Sequence, residues 1–203
     1  MYIVCSDMEG VFTPEIWINV AERTGVEALR LTTRDIADYD VLMRHRLSIL
    51  DEHGITLNDI TDVIDTMEPL EGAVAFLDWL RDRVELIVVS DTYTKFAAPL
   101  IRKLGRPTLF CHTLSVNGAG RITGYNLRQS DAKRHAVEAL KTLNYKVIGM
   151  GDSYNDVNML KAADHGILFR PPRNVIAEFP QFPVTSDYDD LKPIIEDILG
   201  NDP

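Results

Sequence analysis

Residues 1–15 read MYIVCSDMEGVFTPE, and the stretch that decides the fold is Ser6-Asp7-Met8-Glu9-Gly10. Tyr2 to Cys5 is an apolar run of the kind that makes a short buried strand, and two acids, Asp7 and Glu9, follow directly on it. A carboxylate this close to a core is costly unless something compensates it. The local sequence supplies no partner, so the rest of the chain must deliver one to the end of this strand.

Further apolar runs suited to buried strands occur at Glu85 to Val89, Thr108 to Cys111, Lys146 to Met150 and Gly166 to Phe169. Amphipathic stretches with helical spacing separate most of them, at about 72–83, 94–104, 131–143, 154–163 and 188–199. Strand alternating with helix predicts an α/β fold with a parallel sheet covered on both faces. The segment from Pro14 to Met67 breaks the alternation. It holds no convincing strand and reads as three or four helices, around 14–24, 39–53 and 57–67, with Thr56 or Asn58 as a cap and Gly54 as a stop. An all-helical insertion straight after the first strand predicts a lid over the carboxyl edge of the sheet. The expected division is a core of residues 1–13 and 70–203 and a helical cap of residues 14–69. Thr113 to Leu127 alternates around Asn117-Gly118 and Gly120, which predicts a small β-hairpin.

Composition narrows the function classes. With 203 residues, 45% hydrophobic and 26% charged, the chain is an ordinary globular one. Its net charge of -10 argues against nucleic-acid and anionic-membrane surfaces, which need basic patches. No apolar run approaches the roughly 20 residues that span a bilayer, and the opening lacks the blocks of a secretion signal. Cys5 and Cys111 sit in apolar surroundings, which predicts buried thiols and a reducing compartment. The expectation is a cytoplasmic protein with a small-molecule partner, no nucleic acid and no membrane; composition does not give the oligomeric state.

Ligands of open parallel sheets bind at the carboxyl ends of the strands. After the first run come Asp7 and Glu9; after Leu86 to Val89 come Ser90-Asp91-Thr92; after Val147 to Met150 comes Gly151-Asp152-Ser153-Tyr154-Asn155-Asp156. Lys133-Arg134 opens the helix before the third set. Each piece has a plainer reading. Ser90-Asp91-Thr92 could cap a helix, Asp152 and Asp156 could be a first-turn dipole pair, and Lys133 could be a solvated surface lysine. Their convergence favours a site. Asp7, Asp152 and Asp156 together call for a hard cation, and oxygen ligands in this number suit Mg²⁺. A phosphate beside that metal would need donors, and Ser90, the backbone amides of Asp91 and Thr92, and Lys133 are of the right kind.

In order, Asp7-Met8-Glu9-Gly10-Val11, Ser90, Lys133 and Gly151-Asp152-x-x-Asn155-Asp156 resemble the four motifs of the haloacid dehalogenase superfamily of phosphohydrolases. The resemblance implies a Rossmann-like core with a helical cap inserted after the first motif. It implies that Asp7 is a nucleophile that takes up the phosphoryl group and that Glu9 is the general acid and base. Asp7, Asp152 and the backbone carbonyl of Glu9 would ligate Mg²⁺, with Asp156 binding it or orienting its water, while Ser90 and Lys133 hold the phosphoryl oxygens. Within the superfamily the chain resembles phosphoserine phosphatases, in which a Glu and a cap Arg grip the substrate's ammonium and carboxylate. The matching positions are Glu15 and Arg46, with Tyr39 as a pocket wall and Asp91, Thr92 and Asn155 also facing substrate. As plainer readings, Glu15 could be a first-turn helix acid, and Arg44 and Arg46 ordinary cap surface. Two positions depart from the group: Glu9 stands where Asp is usual, and Asp91 where Gly is usual. These, with the runs Arg34-Asp35-Ile36 to Gly54 and Glu178 to Pro183, resemble a bacterial subfamily that is both phosphoserine phosphatase and phosphoserine:homoserine phosphotransferase. The alternatives are a phosphatase for another small phosphomonoester, or a receiver module that is phosphorylated on aspartate to signal.

Overall fold

The structure, a computed structural model, describes residues 1–32, 35–36 and 38–200. Arg34 and residues 201–203, the end of the expected core, lie outside them. In chain order come β1 (Tyr2–Ser6), α1 (Ile16–Thr24), a 3₁₀ turn (Glu27–Arg30), α2 (Tyr39–Glu52), α3 (Leu57–Thr66), α4 (Ala73–Arg81), β2 (Glu85–Tyr93) and α5 (Thr94–Lys103). They are followed by β3 (Thr108–Val116), β4 (Ile122–Asn126), α6 (Ala132–Thr142), β5 (Lys146–Gly151), a second 3₁₀ turn (Tyr154–Asp156), α7 (Val157–Ala162), β6 (His165–Phe169), α8 (Arg173–Glu178), β7 (Val184–Thr185) and α9 (Tyr188–Gly200).

The seven strands form one sheet of order β4-β3-β2-β1-β5-β6-β7. All neighbours are parallel except β3 and β4, the hairpin at one edge. The opening run is the middle strand, with Cys5 opposite Ile87 of β2 and Gly149 of β5. Strand side chains alternate between faces, and here the alternation divides two cores. Val4, Val88, Ile148 and Ile167 join an apolar cluster that includes Phe76, Phe96 and Ile195. Ile3, Cys5, Val89, Val147 and Leu168 join a second, with Val137 and Leu140 of α6 and Met159 of α7. Both faces are therefore covered, as a parallel sheet requires.

Helices α1 to α3 pack onto the first of these clusters through Trp17, Val20, Met43, Ile49, Ile60 and Ile64. Thr56 caps α3 with a reciprocal box: its hydroxyl accepts from Asp59 N, and the Asp59 carboxylate accepts from Thr56 N at 2.7 Å. The hairpin reaches across to the same helices, for Leu57 N donates to Gly120 O at 2.9 Å. Arg121 pairs with Asp51, and the Tyr125 hydroxyl donates to Asp40. Among the described residues no helix is long and apolar enough to cross a membrane.

Several local expectations change. The stretch 154–163 is a 3₁₀ turn followed by α7, because the Asp156 side chain turns back onto the amides of Asp152 and Ser153. Ser90-Asp91-Thr92 belong to β2, past a register irregularity after Val89, and α5 receives no side-chain cap. Cys5 is buried but Cys111 is only half-buried. Helix α8 and strand β7 have no counterpart in the sequence reading; at six and two residues they are too short to show a period.

Candidate active site

Three adjacent strands end at one point. Asp7 directly follows β1 and keeps the ladder going, its amide donating to Met150 O of β5 at 2.9 Å. Its carboxylate accepts from Met8 N through Oδ1 at 2.7 Å. Lys133 Nζ lies 2.9 Å from Asp7 Oδ2 and 2.8 Å from Asp156 Oδ1. Lys133 is thus not a surface lysine: it is 3% exposed, and reaches in from the first turn of α6. Burial would strip its proton, but Asp156, Asp7 and Asp91 outweigh that and hold its pKa well above the usual lysine value. Asp156 is fully buried and occupied by three donors, Lys133 and the amides of Asp152 and Ser153.

Two glycines make the crowding possible. A Cβ on Gly151 would lie 2.4 Å from the Asp156 side chain. A Cβ on Gly10, whose φ of +76° is in the left-handed region, would lie 2.5 Å from the Asp152 carboxyl carbon. Asp7, Asp152 and Asp156 bring carboxylate oxygens within 4.8 Å of one another. Burial first, then Asp156 and Asp152, push the Asp7 carboxyl well above its ordinary range against the attraction of Lys133. Asp152 is pushed up to about 7, by burial first and then by Asp156 and Glu15. Lys133 pairs with Asp7 and Asp156, and Asp152 adds a third buried carboxyl, so the group carries surplus negative charge in an all-oxygen cradle. Those are the conditions a hard divalent cation satisfies.

A cavity of about 80 Å³ opens in front of this group. Eleven of the twelve residues singled out in the sequence line it: Asp7, Glu9, Glu15, Tyr39, Arg46, Ser90, Asp91, Thr92, Lys133, Asp152 and Asn155. Asp156 stands behind them. Glu9 Oε2 accepts from Ile16 N at 2.8 Å, so its carboxyl sits on the amino end of α1. Burial, then Glu15, push the Glu9 carboxyl up to about 8, although Ile16 N–H, Arg46 and Lys133 oppose the shift. Glu15 precedes α1 and makes no side-chain cap bond. Ser90 is buried, and its hydroxyl oxygen accepts from Thr92 N at 3.3 Å. The amide of Thr92, expected among the donors to a phosphate, is therefore turned to Ser90 in this state.

Arg46, which also lines the cavity, is 6% exposed. Its guanidinium stacks 4.5 Å from the centre of the Trp17 ring, and Nη2 donates to Leu31 O at 2.8 Å. Its buried Nε has no partner among the described residues. Tyr39 donates to Asp91 O at 3.0 Å and meets the Tyr93 hydroxyl at 2.7 Å, which joins α2 to the end of β2. Asn155 Nδ2 donates to Asp91 Oδ2 at 3.1 Å.

Trp17, Tyr93 and His112 were not singled out in the sequence. His112 was within reach of the strand-end rule, since it follows the apolar run Thr108 to Cys111 on the neighbouring strand. Trp17 carries no signal beyond its place two residues after Glu15.

Comparison with known proteins decides the family. A model of the haloacid dehalogenase-like hydrolase family matches residues 3–164. The chain belongs to that family. As a haloacid dehalogenase-like hydrolase it is 59% identical over 192 residues, 95% of this chain and 94% of the relative, to "Phosphoserine phosphatase ThrH" of Pseudomonas aeruginosa. A "Phosphoserine phosphatase" of Pseudomonas syringae pv. tomato is 58% identical over 190 residues, 94% of this chain and 80% of the relative. The hydrolase also shares its fold, at TM-score 0.76 and 21% identity over 96% of this chain and 98% of the other, with a crystal structure of phosphoserine phosphatase in apo form.

Proposed function

We propose that this hydrolase is a Mg²⁺-dependent phosphoserine phosphatase that passes the phosphoryl group through Asp7, to water and also to homoserine. The observation that carries the reading is a buried Arg46, with an unpartnered Nε, lining the same small cavity as Asp7 and Lys133. A guanidinium there suits a substrate carboxylate, and Glu15, which also lines the cavity, suits its ammonium. The names of the two Pseudomonas relatives support the same substrate. In this reading residues 14–69 are a cap that supplies Glu15, Tyr39 and Arg46 to the core.

Mg²⁺ would be held by Asp7, Asp152 and the backbone carbonyl of Glu9, where it neutralises charge on the phosphoryl oxygens. Ser90 and Lys133 bind and orient the phosphoryl group. An Asp7 oxygen attacks phosphorus, forming a P–O bond to the carboxylate as the ester P–O bond breaks, which splits one hard step into two. Glu9, with a pKa near 8, holds a proton at neutral pH and gives it to the departing serine alkoxide. Oε2 is committed to Ile16 N, so Oε1 is the oxygen placed for this transfer. Glu9 then takes a proton from water or from an alcohol as that oxygen attacks the aspartyl-phosphate, and the Asp7 carboxylate is released.

The test is product analysis with phosphoserine, Mg²⁺ and excess homoserine. Serine with phosphohomoserine and phosphate supports both activities. Phosphate alone confines the enzyme to hydrolysis, and no turnover with active release from other small phosphomonoesters would move the substrate elsewhere.

A further inference from the structure

Asp91 is the acid that stands where relatives of this chemistry are expected to carry glycine, and its surroundings explain how a carboxylate is tolerated beside a phosphate site. Its side chain has three partners. Lys133 Nζ lies 3.5 Å from Oδ2, Asn155 Nδ2 donates to the same oxygen at 3.1 Å, and His112 Nε2 lies 3.5 Å from Oδ1. Burial alone would raise the Asp91 carboxyl, but Lys133, His112 and Asn155 outweigh it and hold it charged well below its usual range.

His112 is 3% exposed and lies on β3, opposite Tyr93 of β2. Its Nδ1 accepts from Arg128 N at 3.0 Å. That bond assigns the proton of the neutral ring to Nε2, the nitrogen aimed at Asp91. One side of the ring is anchored to backbone and the other faces Asp91 Oδ1 at 3.5 Å.

Lys133 carries three N–H bonds. Two go to Asp7 and Asp156 at 2.9 and 2.8 Å, the range of a charge-assisted hydrogen bond. The third partner is Asp91, at 3.5 Å, too far for a bond of that strength. Nothing in charge keeps Asp91 from closing on Lys133, since each attracts the other. What opposes closure is the Asn155 hydrogen bond to Oδ2 at 3.1 Å together with the attraction of His112 for Oδ1.

We propose that His112 is a positioning residue: together with Asn155 it restrains the Asp91 carboxylate away from Lys133, so that the third N–H of Lys133 stays available to a phosphoryl oxygen. Without the restraint Asp91 completes the ion pair and competes with phosphate for the same proton. This deepens the phosphohydrolase reading and rests on it.

The test uses inorganic phosphate as the probe, by calorimetry in Mg²⁺ buffer, with melting temperature recorded for every variant. His112→Asn keeps an acceptor for Arg128 N–H but cannot reach Asp91; His112→Gln places an amide N–H where Nε2–H lies. The restraint predicts about tenfold weaker phosphate binding in H112N, a change of about 1.4 kcal/mol, and near-native binding in H112Q. KM for phosphoserine should rise in step, with kcat changed less. In an Asp91→Ala background the His112→Asn change should have no further effect. Native phosphate affinity in H112N, or an equal loss with and without Asp91, would overturn the restraint while leaving the hydrolase reading intact. A wild-type protein that binds no phosphate would overturn the restraint, which requires a phosphoryl oxygen to be taken up at Lys133.

Discussion

The proposed function gives Arg46 the substrate carboxylate, and removing its guanidinium separates recognition from catalysis more cleanly than any change at Asp7, the proposed nucleophile. In Arg46→Ala the cavity loses a cation whose guanidinium lies over Trp17 and whose Nε is unpartnered among the described residues. Hydrogen bonds to charged groups are worth about 1.5–3 kcal/mol each. A carboxylate gripped by two guanidinium N–H groups, less the cost of ordering it, therefore amounts to about 3–4 kcal/mol. At about 1.4 kcal/mol per tenfold, kcat/KM for phosphoserine falls roughly 10²- to 10³-fold. Most of the loss should fall on KM, because the carboxylate lies away from phosphorus and is held alike in ground and transition states.

Stability should move little. The variant loses a cation–π contact worth about 1–2 kcal/mol, but it also removes a buried cation whose own pKa is lowered by burial. The assay is phosphate release from phosphoserine and from phosphoethanolamine, which keeps the ammonium and lacks the carboxylate. The fold loss should appear with the first and nearly vanish with the second. A loss below tenfold on phosphoserine, or equal losses on both, refutes the assignment of Arg46 to the carboxylate.

Three further outcomes follow from the geometry. The folded Asp152 carboxyl, near 7, lies above its ordinary value of about 3.9, so folding favours its protonated form. Its contribution is full below about pH 4 and lost as pH rises toward 7. In metal-free protein the melting temperature of Asp152→Asn, relative to wild type, should therefore climb between pH 4 and 8, and a flat difference across that window counts against the charge surplus. Thr56→Ala removes the capping box of α3 and should cost about 1 kcal/mol, read as a fall of about 2–4 °C in melting temperature for a chain of this size; kcat should be unchanged. Glu9→Asp withdraws the carboxylate from Ile16 N and should lower the melting temperature by a similar 2–4 °C as well as slow turnover. Unaltered melting would show that the bond to α1 contributes nothing.

The strand-end rule made much of the site legible. Asp7, Ser90 and Asp152 each follow a visible apolar run, and the parallel sheet places β2, β1 and β5 side by side. Lys133 had no local signal, because a lysine in the first turn of an amphipathic helix is ordinarily solvated; only the three carboxylates around it explain its burial. Long-range polar ties were equally hidden. Arg121 with Asp51, Tyr125 with Asp40 and Lys103 with Asp65 O and Glu68 join segments far apart in the chain, and no period or spacing announces such pairs. The motif Ser90-Asp91-Thr92 was read as following the strand, whereas β2 continues through it past a register irregularity, and the plainer reading of it as a helix cap is not what the structure has.

Glu at position 9, where the resemblance leads to the expectation of Asp, acquires a physical reason from the same geometry. Gly10, at φ +76°, turns the chain sharply, and Gly10 N donates to Thr13 O at 2.8 Å. The turn leaves the first amide of α1 open, because Glu15, at the cap position, offers no side-chain acceptor. Glu9 fills that role from six residues upstream of Glu15, and an aspartate, one methylene shorter, has less reach toward Ile16 N. The bond draws the Glu9 carboxyl, the proposed proton-transfer group, toward α1, so the placement of Glu9 depends on where α1 sits. It also stabilises the charged form, yet burial and Glu15 still leave the carboxyl near 8. One residue thus ties the helical insertion to the sheet and keeps its proton at neutral pH, and an aspartate at this position could do the second without the first.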